Sequence, residues 1–239
     1  MAERYSTAYR TDTTARTAEF DAGLRAYMLK VYNYMASGVL LTGVIAMLVS
    51  QSPTMINAIF SGPQAYVVML APLGFVLAMS FGLNKMSSGT LQLLFWLFAG
   101  VMGLSLSSIF LAYTGTSIAR AFFVAAASFG ALSLYGYTTK KDLSGLGTFL
   151  IMGLFGLIIA SVVNWFLQST MLDFIVSVVG VLVFAGLTAY DTQRIKNSYY
   201  MMATGEMVKK GAIMGALNLY LDFINLFLML LRFFGQSRE

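Results

Sequence analysis

Apolar residues in this chain come in long uninterrupted blocks separated by short polar intervals. No charged residue falls between Lys30 and Lys85, between Lys85 and Arg120, or between Asp142 and Asp173. A membrane-spanning helix needs about 20 apolar residues, so several blocks hold more than one span. Hydropathy places seven helices, at about 28–49, 65–83, 90–113, 117–137, 146–167, 174–193 and 212–234. Phe20, Leu24, Tyr27 and Val31 recur at helical spacing, so the first helix is expected to begin before the membrane does. The pattern predicts an all-α integral membrane protein, with a polar tail at 1–26, a seven-helix domain at 27–235 and a short tail at 236–239.

Composition agrees with that class. Of 239 residues, 58% are hydrophobic and 10% charged, against about 25% charged in a soluble domain. The N-terminal segment lacks the apolar core and cleavage site of a secretory signal, which makes the first span an uncleaved anchor. Twelve of the fifteen basic residues fall on one side of a seven-span topology. Arg120, Arg232 and Arg238 fall on the other. Basic residues mark the cytoplasmic side, so the N-terminus is expected inside and the C-terminus outside. The net charge of +5 is read as topological, because no basic stripe with interleaved aromatics suggests a nucleic-acid partner.

Cysteine and histidine are both absent, which removes disulfides, thiolate or imidazole metal ligands and imidazole pH sensing. Proton chemistry within the spans falls to carboxylates. Asp191 and Asp222 are the acidic residues placed inside otherwise apolar spans. A charge near the bilayer centre costs roughly 2.5–3.5 kcal/mol on insertion scales, which favours a partner, a water-filled cavity or a task.

In the seventh span Gly211, Gly215, Asn218, Asp222, Asn225 and Met229 share one face, because steps of three and four stay on one side of a helix. Such a polar stripe must face protein or water, so this span is expected at the centre of the bundle. The sixth span carries Ser177, Gly180, Phe184, Thr188 and Asp191 on a comparable face. Asp191 falls near its cytoplasmic end, while Asp222 lies about ten residues into the seventh span, or about 15 Å. Contact between them would need tilt, a late start of the seventh helix or a break in the sixth.

If they meet, two like charges in a low-dielectric site do not easily both ionise. A shared proton would tie the helices together at low pH; its loss would bring repulsion and an attraction for cations. Calcium prefers oxygen ligands, which Asn218, Asn225 and Thr188 would supplement. Elsewhere, Pro72 is expected to kink the second span by leaving the Val68 carbonyl without its usual donor. Small residues at Ser37, Gly38 and Thr42, at Gly100, Gly103 and Ser107, and at Gly153, Gly156 and Ala160 suit close helix contact.

Two stretches carry a resemblance: Gly186-Leu187-Thr188-Ala189-Tyr190-Asp191-Thr192-Gln193, and Asn218-Leu219-Tyr220-Leu221-Asp222-Phe223-Ile224-Asn225-Leu226-Phe227. With Ser133 to Ser144 and Leu104 to Phe110, they are similar to the Bax-inhibitor-motif family in its bacterial branch, over nearly everything after residue 25. The resemblance implies six helices around a central seventh, in a bacterial inner membrane. It also implies an aspartate pair, matched here by Asp191 and Asp222, that acts as a pH-dependent sensor for calcium leak. Some members carry an arginine on the second helix that pairs with the sixth-helix aspartate; residues 65–83 hold no Lys or Arg, so any latch here must differ.

Certain bacterial members instead bind and restrain a membrane-anchored AAA protease, which makes a non-catalytic regulator the alternative to a channel, with the N-terminal tail as its contact. An enzyme is not expected. Intramembrane aspartyl proteases place glycines beside the second catalytic aspartate, where this chain has Leu219 and Leu221. No cofactor is expected beyond calcium as a transported or bound ion.

Overall fold

The computed structural model describes residues 2–202 and 205–236, with the side chains of residues 2–20 excepted. Its elements in chain order are α1 (Ala2–Ser50), α2 (Pro53–Phe60), α3 (Gln64–Gly82), α4 (Ser88–Leu106), α5 (Ile109–Ala112), α6 (Gly115–Thr138), α7 (Ser144–Leu167), α8 (Thr170–Ser198) and α9 (Gly205–Phe234). A 3-10 turn, Tyr199–Met201, follows α8. Seven stretches are long and apolar enough to cross a membrane, in the order the blocks predict.

The helix ends follow from local chemistry. Ser52, Ser87, Thr114 and Ser169 each accept a hydrogen bond from a backbone N–H of the turn that follows, which satisfies one of the orphan donors at a helix start. Pro53 opens α2 at a position where its missing N–H costs nothing. Pro72 is buried within α3, which continues on both sides of it. The N-terminal part of α1 is longer than hydropathy suggests, and Leu24, Tyr27 and Val31 are buried as their spacing predicts; Phe20 lies outside the described side chains.

The last helix occupies the centre. In the most apolar stretch of α9 67% of residues are buried, against 11% for α3 and 17% for α7. It packs against α8, α1, α6, α4 and α3, whereas α7 rests mainly on α8. Lipid supplies no hydrophobic force between helices, so this assembly depends on close packing and polar contacts. Several expected small-residue contacts occur: a Cβ on Gly38 would lie 2.8 Å from the Phe95 ring, one on Gly103 2.8 Å from the Thr42 carbonyl, and one on Gly153 3.2 Å from Val183. Gly156 faces open space instead.

At one end, the first turns of α9 clasp the α3–α4 connection. The Glu206 carboxylate accepts from the Ser88 backbone N–H and hydroxyl at 2.8 and 3.0 Å, and Lys210 Nζ donates to the Leu83 carbonyl at 3.2 Å. The start of the central helix is thereby fixed to the neighbouring hairpin.

Candidate functional site

Asp191 and Asp222 come together. Their side chains are within hydrogen-bonding reach of each other, and both line one cavity of about 560 Å³ between α7, α8 and α9. The expected depth mismatch of about 15 Å does not arise. The reason is that the ends of the two helices are not level: Ile195, three residues before the end of α8 at Ser198, lies against Gly215, ten residues into α9, which begins at Gly205.

The seam between the two antiparallel helices fixes the remaining offset. Gly215 of α9 lies against Ile195, and Gly180 of α8 lies against Met229. Interpolated along the seam, Asp191 is level with Asn218 and Leu219, about one turn, or ~5 Å, from Asp222. Side chains lean toward the N-terminus of their own helix. In an antiparallel pair the two aspartates therefore lean toward each other, and neither a break nor a late start is needed.

The two carboxyl groups differ in setting. Asp222 is 5% exposed, and its Oδ2 is buried without a hydrogen-bond partner. Asp191 is half-buried, and Arg194 approaches its Oδ1 at 3.9 Å from one turn along α8. Two carboxyl groups hydrogen-bond to each other when they hold one proton between them, and repel when both are ionised.

The other expected residues divide. Asn218 and Asn225 line the same cavity, together with Met229. Asn225 Nδ2 donates to the Leu221 carbonyl at 2.9 Å, which leaves its side-chain oxygen uncommitted. The structure does not bring Thr188 to the pair. Its hydroxyl donates back to the Phe184 carbonyl at 2.8 Å in a fully buried position, one residue round the helix from the cavity lining. Pro72 also lies away from this cavity.

For calcium, two carboxylates with two asparagine oxygens fall short of the six to eight oxygens the ion prefers. Among the described residues no group of three or more carboxylate, imidazole or thiolate side chains forms a cage. The four side chains offer too few oxygens to hold the ion without water.

Two features escape the sequence reading. Gln193 is buried beside Asp191 and clamps the α6–α7 connection, accepting from the Leu143 N–H at 2.9 Å and donating to the Lys141 carbonyl at 2.8 Å. Ser161 of α7 reaches the cavity wall, followed at helical spacing by Asn164 and Gln168. That spacing was a signal in the sequence, hidden by the strength of the apolar block around it.

Residues 24–239 match the family described as inhibitor of apoptosis-promoting Bax1. The chain is 52% identical to an uncharacterized protein of Rickettsia prowazekii over 95% of its own length and 96% of the relative's. It is 48% identical to the inner membrane protein YbhL of Escherichia coli K12, over 91% and 94% of the two chains. An uncharacterized membrane protein of Streptococcus pyogenes is 38% identical over 91% and 95%. With its seven apolar helices and a match over nearly its whole length, the chain is a membrane protein that belongs to the Bax-inhibitor family.

Proposed function

We propose that this protein is a pH-sensitive, calcium-permeable leak channel of the bacterial cytoplasmic membrane, with Asp191 and Asp222 as its proton and cation sensor. The observation that carries this reading is the meeting of the two carboxyl groups at the wall of a cavity that also receives Asn218 and Asn225. With one proton shared, the pair joins α8 to α9. When that proton leaves, repulsion and the unpartnered Asp222 Oδ2 favour separation and the entry of a cation. Arg194 takes the position of a latch on Asp191, in place of a basic residue on the second span.

Other readings find less support. Both α8 and α9 continue without interruption past their aspartates, so the loosened backbone of an intramembrane protease is not present at this site. Leu219 is fully buried beside Asp222, where a protease would need glycine. The distribution of basic residues supports a cytoplasmic N-terminus. The inner-membrane location follows the name of the Escherichia coli relative.

The test is calcium flux into dye-loaded liposomes as a function of pH. Wild-type flux rises as pH rises through loss of the shared proton, and Asp222→Asn flattens that profile. Equal flux from both proteins at every pH would remove the reading.

A further inference from the structure

The cavity that holds the aspartate pair does not end in a closed wall. Ser161 of α7 lines it and also lines a second cavity of about 380 Å³, whose wall includes Asn164, Gln168, Asp173 and Arg232. The two spaces therefore adjoin along the same three helices. Ser161 and Asn164 lie one turn apart on one face of α7, and Gln168, in a left-handed conformation, ends the helix just beyond them. Asp222, Asn225, Met229 and Arg232 follow one another at steps of three and four on one face of α9. From Ser161 outward on α7 and from Asp222 outward on α9 a polar residue thus recurs about once per turn, with Met229 the exception on α9, while the α7 wall inward of Ser161 is apolar, at Ile151, Leu154, Leu157 and Ile158.

The packing keeps this seam open. α7 rests on α8 and barely touches α9. Gly147 and Gly186 set that contact, by admitting the Tyr190 ring and the Leu150 side chain respectively. Met229 rests in the space left by Gly180, where a Cβ would lie 2.6 Å from its sulfur, and lines the cavity beside Asn225. The volume next to Asp222 has room for several waters at ~30 Å³ each, and a buried carboxylate oxygen without a partner is what such water would satisfy.

We propose that these two cavities form one water-accessible passage from the aspartate pair to the membrane face that carries the α7–α8 connection, narrowed at Met229. As a route for a cation it rests on the channel reading above; as a route for water it does not.

The chain contains no cysteine, so single cysteines report without background. Full-length protein in vesicles is treated from either side with a membrane-impermeant maleimide. Gln168→Cys and Asn197→Cys, both exposed, mark the two faces. Leu219→Cys, fully buried on α9, is the unreactive control. Ser161→Cys and Asn225→Cys are expected to react from the Gln168 side, several-fold faster than the control. Adding Met229→Ala raises the rate at Asn225→Cys and leaves that at Ser161→Cys unchanged. Silence at both positions, or reaction only from the Asn197 side, overturns the passage, and Ser161→Cys is conservative enough that misfolding would not imitate that result.

Calcium flux separates this inference from the channel reading. If Met229→Ala speeds labelling but no variant carries calcium, the passage stands and the channel reading falls. If calcium flux persists after a bulky maleimide is attached at Ser161→Cys, the ion takes another route and the passage falls as a route for the cation.

Discussion

Two nearly opposite faces of α9 behave in contrasting ways. Toward α1 and α4, Tyr220 is fully buried, with its ring centroid 5.0 Å from Phe98 and 6.3 Å from Phe95. Its hydroxyl meets Thr42 Oγ1 at 2.6 Å, and Thr42 donates on to the Ala99 carbonyl at 2.8 Å. Toward α7, Asp222 lies two residues along and so nearly opposite on the helix, beside a cavity of about 560 Å³. One face is an anchor of interlocked rings, the other a mostly apolar hollow to which α9 contributes two amides and a carboxyl group. A hollow holds its shape when the helix that forms its wall is fixed elsewhere, and here the fixing is done on the reverse side.

The largest test sets one face against the other. Phe98→Ala removes a fully buried ring from the anchor and is expected to lower stability by about 3 kcal/mol or more. Asn218→Leu adds bulk where there is space, and its change is expected to be about 1 kcal/mol or less. Unfolding in detergent followed by denaturant titration measures both. Equal losses would mean that the cavity face is as tightly packed as the ring face, and the contrast would disappear.

A smaller test concerns α7, the far wall of the hollow. Gly153 and Gly156 look alike in sequence, one turn apart in an apolar helix. In the structure a Cβ on Gly153 would press Val183 at 3.2 Å, while one on Gly156 would meet nothing within 4 Å. Gly156→Ala should therefore gain about 0.5–1 kcal/mol from the lower entropy of the unfolded backbone. Gly153→Ala should gain less, or lose, because Val183 must yield. Thermal unfolding of the two variants decides, and a Gly156→Ala variant no more stable than Gly153→Ala would show that α7 is held on more than its α8 side.

These contrasts mark what the sequence made legible. The seven spans and their order follow from charge-free blocks alone, because length and apolarity suffice to define them. Asp191 and Asp222 stand out by the cost of placing a carboxylate there. Their separation is not legible because hydropathy gives where each span ends but not how two helices are staggered: Ile195 of α8 lies against Gly215, ten residues into α9. Thr188 was misplaced for a different reason. Helical spacing assigns a face but not what a hydroxyl bonds to, and a buried threonine readily bonds the carbonyl four residues back. The hollow itself was invisible, since it depends on how far α7 stands from α9. That distance is set by which glycines meet which side chains on α8.

The smallest effect is expected at the start of α7, where the hollow side is tied down. Asp142 Oδ1 accepts from the Ser144 N–H at 2.9 Å at the start of the helix. The Ser144 hydroxyl, and after it this N–H, hold the exposed Asp142 carboxyl below its ordinary pKa. A lowered folded-state value means a contribution that is complete above the unfolded-state value and lost as pH falls through the folded one. Asp142→Asn keeps an oxygen that accepts the same hydrogen bond but removes the charge. The variant should therefore be slightly less stable than wild type at neutral pH and should converge with it below the usual carboxylate range. The Gln193 clamp on the same connection remains in both proteins, so the difference should stay far smaller than that of Phe98→Ala. A large loss in Asp142→Asn would instead make this single exposed carboxylate the main restraint on α7, and the wall of the hollow would then depend on its loop rather than on its packing against α8.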